Sequence, residues 1–256
     1  MLKYSIITPS YNQAEFLERT ILSILNQNYG NLELIIIDGG SSDGSVDIIK
    51  KYHDKIAYWV SETDRGQSHA FNKGLEIATG DIIGWLNSDD VYYAGTIIQS
   101  AEIFESKHDA DIIFANYDFI DENDNLIKHR KEILFNYNIY LWTKDCYHAN
   151  CAGFYRKRCF DIAGGLSENL HYSMDYELYL RFSKHGFKFH QVHNLWGAYR
   201  MHSLSKSVAS FHNMPIEAQK VFKEYENGTT HLENIFLPPF YRSYRITKKL
   251  LTGCYF

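Results

Sequence analysis

The strongest constraint on this chain is an alternation. Between residue 4 and about residue 117, short β-branched runs take turns with stretches whose apolar residues recur at helical spacing. Runs at 4–8, 32–37, 56–60, 81–86 and 111–117 read as strands. After the first of them, Phe16, Leu17, Thr20, Ile21, Ile24 and Leu25 fall at i, i+1, i+4, i+5, i+8 and i+9, which is one buried helical face. Segments 44–53 and 67–79 carry similar faces, and Ile97, Ile98, Ala101 and Phe104 mark a helix ahead of the fifth strand. This order predicts an α/β fold, a mostly parallel sheet flanked by helices.

Past residue 117 the alternation stops. Asp121 to Asn125 form a turn between Phe119-Ile120 and Leu126-Ile127, which predicts a hairpin. Helices are expected at 156–163, 174–184 and 215–226, with a strand pair near 187–199. No internal repeat or low-complexity linker separates the parts, so residues 1–117 and a smaller α+β half at 118–207 are expected to share one sheet, followed by a helical C-terminal extension at 208–256.

Composition narrows the partners. With 26 Lys plus Arg against 31 Asp plus Glu, the formal charge of -5 argues against nucleic acid and leaves any polyanion site to be local. Cys146, Cys151, Cys159 and Cys254 show no C-x-x-C spacing, which predicts free thiols in a reducing cytoplasm. Met1-Leu2-Lys3-Tyr4 leads directly into a strand without a charged leader, and no run of about 18 apolar residues occurs.

In an open parallel sheet, ligands collect at the carboxyl ends of the strands. Here those ends are polar: Thr8-Pro9-Ser10-Tyr11-Asn12, Asp38-Gly39-Gly40-Ser41-Ser42-Asp43-Gly44, Asp64-Arg65-Gly66, and Asn87-Ser88-Asp89-Asp90. Neither G-x-x-x-x-G-K-[ST] nor G-x-G-x-x-G is present, which weakens P-loop and nicotinamide readings. A carboxylate pair after the fourth strand, with Lys and Arg nearby, suits a divalent cation such as Mn or Mg bridging a diphosphate.

These segments, together with Asp175-Tyr176-Glu177-Leu178 and Arg181, resemble in order and spacing the motifs of family 2 glycosyltransferases of the GT-A fold, over roughly residues 4–207. The resemblance implies inverting transfer of a sugar, hexosyl or N-acetylhexosaminyl, from a nucleotide diphosphate donor to an acceptor hydroxyl. UDP is the first choice of nucleotide. The acceptor it implies is a glycan or lipid-linked glycan, in surface polysaccharide or glycoconjugate synthesis.

By resemblance, residues 1–117 bind the nucleotide sugar and 118–207 hold the acceptor and the catalytic group. Asp38 would hydrogen-bond the nucleoside, Pro9, Tyr11 and Asn12 would line base and ribose, and Asp64 with Arg65 would touch the base. Lys73 joins the donor set. Asn87, Ser88 and Asp89 stand where the family often has D-x-D, with Asp89 on the metal and diphosphate. Asp175 is the general base; its neighbour Met174 replaces a common Glu. Arg200-Met201-His202 and Ser205 resemble a late segment that closes over the diphosphate, with His202 on metal or phosphate.

Each assignment has a plain structural alternative. Asp38, Ser42 and Asp43 can shape a turn and cap a helix, Tyr11 can fill core, Asp64 with Arg65 can be a solvated pair, Lys73 a surface lysine, and Asp175 an N-cap. Asn87 and Met174 also motivate a rival, a domain that binds nucleotide sugar or glycan without catalysis. A sugar-phosphate nucleotidyltransferase is a further rival, weakened because no glycine occurs from Thr8 to Gln13. Residues 238–256 hold Arg242, Arg245, Lys248 and Lys249 without an acid, among aromatic and aliphatic residues. Such a tail can dock on the domain or lie on anionic lipid at the inner face of a membrane.

Overall fold

The computed structural model describes residues 1–209 and 212–254, so the last two positions of the basic tail, 255–256, lie outside it. Strands β1 (Tyr4–Ser10), β2 (Leu32–Asp38), β3 (Tyr58–Ser61) and β4 (Ile82–Trp85) run parallel in the order β3-β2-β1-β4. Helices α1 (Ala14–Leu25), α2 (Ser45–Lys51) and α3 (Gln67–Ile77) connect them. The remaining strands are β5 (Val91–Tyr92), β6 (Ile112–Ile120), β7 (Leu126–Arg130), β8 (Gly153–Arg156) and β9 (Phe189–Arg200). They extend the same sheet in the order β4-β8-β6-β9-β5, with β7 paired to β6 as the expected hairpin. Every antiparallel pairing involves β5, β7 or β8.

Alternate side chains of each strand enter opposite layers. Ile6, Leu34, Ile36 and Ile82 meet Leu17 and Ile21 of α1 and Phe104 of α4 (Thr96–Ser106). Ile7, Ile35, Ile37, Ile83 and Trp85 meet Phe71 of α3 on the other side. Burial on both faces explains why these strands read as apolar runs. Helix α3 rides low on the sheet because residue 74 is glycine: a β-carbon there would stand 2.5 Å from Ile7 Cγ2.

The second layer also holds α5 (Tyr137–Thr143), α6 (Lys157–Ala163), α7 (Met174–Lys184) and α9 (Met214–Tyr225), with α8 (Lys206–Ala209) short and α10 (His231–Leu251) last. The strand pair expected near 187–199 is instead one strand. Phe114 pairs with Gln191 and Asn116 with Leu195, so β9 bulges between them, and Asn116 Nδ2 pins the bulge by donating to the His193 carbonyl at 2.9 Å. Pro238 and Pro239, which read as the start of the tail, lie inside α10. That helix begins earlier, at a capping box in which Thr230 and Glu233 each bond the other's backbone N–H. Among the described residues no helix is long and apolar enough to cross a membrane.

Candidate active site

The carboxyl ends of β1, β2 and β4 open into a cavity of about 520 Å³. Pro9, Ser10, Tyr11, Gly39 and Asp64 form one part of its wall; Asn87, Ser88 and Asp89 form another. Tyr199, Leu204, Ser205 and Lys206 close the opposite side. Tyr11 presents a largely exposed ring, 61% accessible, which suits stacking on a flat base.

Asp38 does not reach into this space. It is fully buried, and its Oδ2 accepts from the backbone of Gly40 (3.1 Å) and Ser41 (2.9 Å) and from Ser61 Oγ (2.6 Å), while Oδ1 accepts from Ser41 Oγ (2.6 Å). The carboxylate therefore builds the turn that carries Gly39 to the wall. A β-carbon on Gly39 would stand 2.8 Å from Asp64 Oδ2 and 3.2 Å from the Tyr11 ring. Asn12 links the same turn to β1: its backbone N–H donates to Ser41 Oγ at 2.7 Å, and its side-chain Oδ1 accepts from Ser42 N at 3.0 Å.

The segment after β4 is built as a scaffold for one free acid. Asn87 Oδ1 accepts from Gln67 Nε2 (2.6 Å) and Trp85 Nε1 (3.0 Å), and its amide donates to Asp90 Oδ2 (3.2 Å). Asp90 is buried and accepts from the Arg200 backbone at 2.9 Å; burial, with the adjacent Asp89 charge, pushes its carboxyl well above the usual range. Thr20 Oγ1 holds the carbonyls of Ser88 and Asp90 at 2.9 and 2.7 Å.

Asp89 remains, 18% exposed at the cavity wall, with His202 Nε2 3.0 Å from its Oδ2. The His202 ring is buried against Phe16, centroids 4.5 Å apart. Arg200, fully buried, fixes the acid from behind: its Nε donates to the Asp89 carbonyl at 2.7 Å, and its other end pairs with Asp124 at 2.6 Å.

Two of the cations expected at the donor site face elsewhere. Arg65 extends over the surface to Glu168 at 2.6 Å and lowers that carboxyl's pKa. Lys73 pairs with Glu62. Neither lines the cavity. The Asp64 carboxylate does line it and caps the turn by accepting from Gly66 N at 2.7 Å.

Asp175 lies in the first turn of α7, half-buried, its Oδ1 accepting from Tyr176 N at 2.8 Å. Burial raises its pKa, opposed by hydrogen bonds from the Tyr176 backbone and the Cys146 thiol. The turn ahead of it is held from a distance. Glu217 of α9 accepts from the backbone N–H of His171 (2.8 Å), Tyr172 (2.6 Å) and Ser173 (2.6 Å). It thereby fixes the turn that enters α7, up to the backbone N–H of its N-cap Ser173. Lys206 Nζ bridges this turn to the cavity, donating to the His171 carbonyl at 3.2 Å and to Gln67 Oε1 at 2.9 Å. Desolvation lowers the lysine's pKa, opposed by Tyr172, Glu217, Asp64 and Asp175.

The fold thus gathers Pro9, Tyr11, Asp64, Asn87, Ser88 and Asp89 around one cavity. Asp38, Asn12 and His202 stand behind that wall, Asp175 lies across the Lys206 bridge, and Arg65 and Lys73 lie outside. Sequence reasoning did not single out Ser10, Gln67 or Glu217. Ser10 lies within Thr8-Pro9-Ser10-Tyr11-Asn12, and its buried hydroxyl has no hydrogen-bond partner among the described residues. Glu217 carries no local signal, because its partners lie more than forty residues away. Among the described residues no group of three or more His, Cys, Asp or Glu is placed to hold a metal alone.

A parallel four-strand half, a mixed extension in which β8 runs antiparallel and β6 and β9 run parallel, and a cavity at the strand ends define an α/β architecture with one open site. Glycosyl transferase family 2 matches residues 5–167, more than half of the chain, and the chain belongs to that family. An uncharacterized glycosyltransferase of Rickettsia typhi is 31% identical over 186 residues, covering 70% of this chain and 58% of the relative, so the chain spans little more than half that protein's length. Among solved structures, S. aureus TarS residues 1–349 in complex with UDP-GlcNAc superposes with a TM-score of 0.65 at 16% identity, covering 88% of this chain and 72% of that 1–349 chain. A mannosyltransferase of Pyrobaculum calidifontis in complex with GDP-Man and Mn2+ gives 0.66 at 15% identity, covering 98% of this chain and 75% of that one. At these identities the likeness establishes the GT-A fold.

Proposed function

We propose that this chain transfers a hexosyl or N-acetylhexosaminyl group from a nucleotide diphosphate sugar, UDP-linked, to a hydroxyl of a glycan or lipid-linked glycan, with inversion. The observation that carries the reading is Asp89, an acid at the cavity wall beside the His202 imidazole, while Asp38 and Asp90 at the neighbouring strand ends are sequestered. The residues present fit a divalent cation: a carboxylate and an imidazole stand side by side, and a diphosphate supplies further oxygen ligands. Asp89 would hold Mn or Mg, with His202 contributing its Nε2. When bound, the cation neutralises charge that grows on the departing nucleoside diphosphate.

The chain's own groups divide the remaining work. Tyr11 offers the nucleobase a ring face, Pro9 and the Asp38-built turn shape the nucleoside pocket, and the Ser10 hydroxyl and Asp64 carboxylate are placed to bond polar donor groups. Ser88 and Asn87 set the backbone of Asp89; Asn87 does so through its spent amide. Arg65 and Lys73 act on the donor only by releasing Glu168 and Glu62. Asp175 removes the acceptor proton, and its raised pKa makes it a stronger base than a free carboxylate.

On this reading residues 1–117 are the donor half, 118–207 the acceptor and catalytic half, and 208–256 the extension that braces Asp175 through Glu217. The free cysteines fit a cytoplasmic enzyme working at the inner face of the membrane on surface polysaccharide or glycoconjugates. A second reading, a donor-binding domain without transfer, is favoured by one observation: the Asn87 carbonyl is already engaged twice.

Thermal shift with UDP, GDP and dTDP, with and without Mn, tests the reading. UDP with Mn should raise the Tm most, by mass action. No shift with any diphosphate would refute donor binding, and a shift without transfer to any acceptor would select the second reading.

A further inference from the structure

Helix α10 has two unlike sides. Its inner side packs Leu237 and Tyr241 against the apolar layer beside α5. Arg245 and Lys249 each reach the fully buried Glu132 at 3.0 Å, and the Arg245 guanidinium lies 4.1 Å from the Tyr147 ring centroid. Those groups are spent on docking. The outer side repeats apolar residues every four positions, Leu232, Phe236, Phe240 and Tyr244, and Leu251 extends it. Phe236 and Phe240 are 64% and 56% exposed, and no residue of the helix is buried.

The border of this stripe is basic. The exposed apolar arc also includes Ile235, Ile246 and Leu250. Arg242 is exposed beside Ile246 at one edge of it, on the rim of the cleft that holds Asp145 and Arg245, and Lys248 is exposed at the other, its Nζ lying 5.6 Å from the Tyr244 ring centroid. After Glu233 the helix has no acid, in a chain whose net charge is -5. A solvent-facing aromatic stripe with cationic margins is the complement of an anionic bilayer surface. A symmetric pairing of two such helices would bring like-charged margins together.

We infer that the outer face of α10 rests on an anionic membrane, with Phe236 and Phe240 entering the headgroup boundary and Arg242 and Lys248 meeting lipid phosphates. The inference stands apart from the reaction proposed above, because α10 contributes nothing to the cavity wall.

Co-sedimentation of the whole chain with phosphatidylcholine vesicles, and with vesicles also containing phosphatidylglycerol, tests it. Binding should require phosphatidylglycerol and weaken with salt. Arg242→Gln with Lys248→Gln should lower the partition coefficient about thirtyfold, at roughly 1 kcal/mol per basic residue. Phe236→Ser with Phe240→Ser should lower it at least about tenfold. Both pairs are on the surface, so circular dichroism and the UDP thermal shift should stay as in the unaltered chain. Equal binding to neutral vesicles, no binding to either, or a dimer by light scattering that Phe236→Ser with Phe240→Ser dissociates would overturn the inference.

Discussion

Carboxylates gather at two places in this fold, and their surroundings differ. Under α10, Glu132 is fully buried and a single oxygen is shared by Arg130 at 2.7 Å and by Arg245 and Lys249 at 3.0 Å. At the strand ends, Asp89 faces a cavity with His202 on its carboxylate, and Asp64 accepts from the Gly66 backbone N–H. The first arrangement has cations in excess around its acid and ties a helix to the body. The second turns two carboxylates toward open space, where an arriving cation can reach them. Acid count alone would not separate them; the partners do.

The comparison can be broken by mutation, since changes at the cavity should cost catalysis and changes under α10 should cost stability. Asp175→Asn should lower kcat by about 10²–10⁴-fold while UDP affinity holds. In the unaltered enzyme the rate should rise with pH through the raised pKa of Asp175, because only the ionised form accepts a proton, and the variant should lose that limb. Steady-state kinetics across pH checks both.

Asp89→Ala should reduce kcat/KM by about 10²–10³-fold, the scale of losing one group that stabilises transition-state charge. Its urea midpoint should stay near that of the unaltered chain, because no helix or strand depends on that carboxylate. Under α10 the reverse holds. Arg245→Ala should destabilise by about 2 kcal/mol, removing charge-assisted hydrogen bonds to Glu132 and Asp145 and a ring contact, with UDP affinity unchanged in calorimetry.

The smallest effect sharpens the contrast inside the cavity segment itself. Asp90 has a raised folded pKa, so above about pH 4 the folded state holds a proton that the unfolded chain releases, and stability from this group falls as pH rises toward that pKa. Asp90→Asn should flatten that decline in denaturant melts taken across pH, with at most about a kcal/mol of change near pH 4.

Much of the fold was legible because burial on both faces leaves a simple signature. The helix expected at 174–184 is α7 itself, and those at 67–79 and 156–163 differ from α3 and α6 by only a residue or two at an end. The parts that escaped lack such a signature. Strand β8 spans only Gly153–Arg156, too short for periodicity to register, and β5 is two residues long. Helix α5 is packed on several sides, with Ile139 through Thr143 all buried, so no single apolar face marks it.

The candidate site divides in the same way. Motif positions told where the chain would turn, which put Pro9, Tyr11, Asp64 and Asp89 at one cavity. They did not tell which way a side chain would point once neighbours competed for it. Asp38 is captured by Ser41 and Ser61, Arg65 by Glu168, and Lys73 by Glu62. Lys206 and Glu217 act through contacts that only the folded chain creates.

The most direct test of the whole account is calorimetry of UDP binding to the unaltered chain and to Asp89→Ala, each with and without Mn. Mn should tighten UDP binding to the unaltered chain by at least about tenfold and change nothing in the variant. An equal response to Mn in both proteins would contradict the placement of the diphosphate and its cation at Asp89.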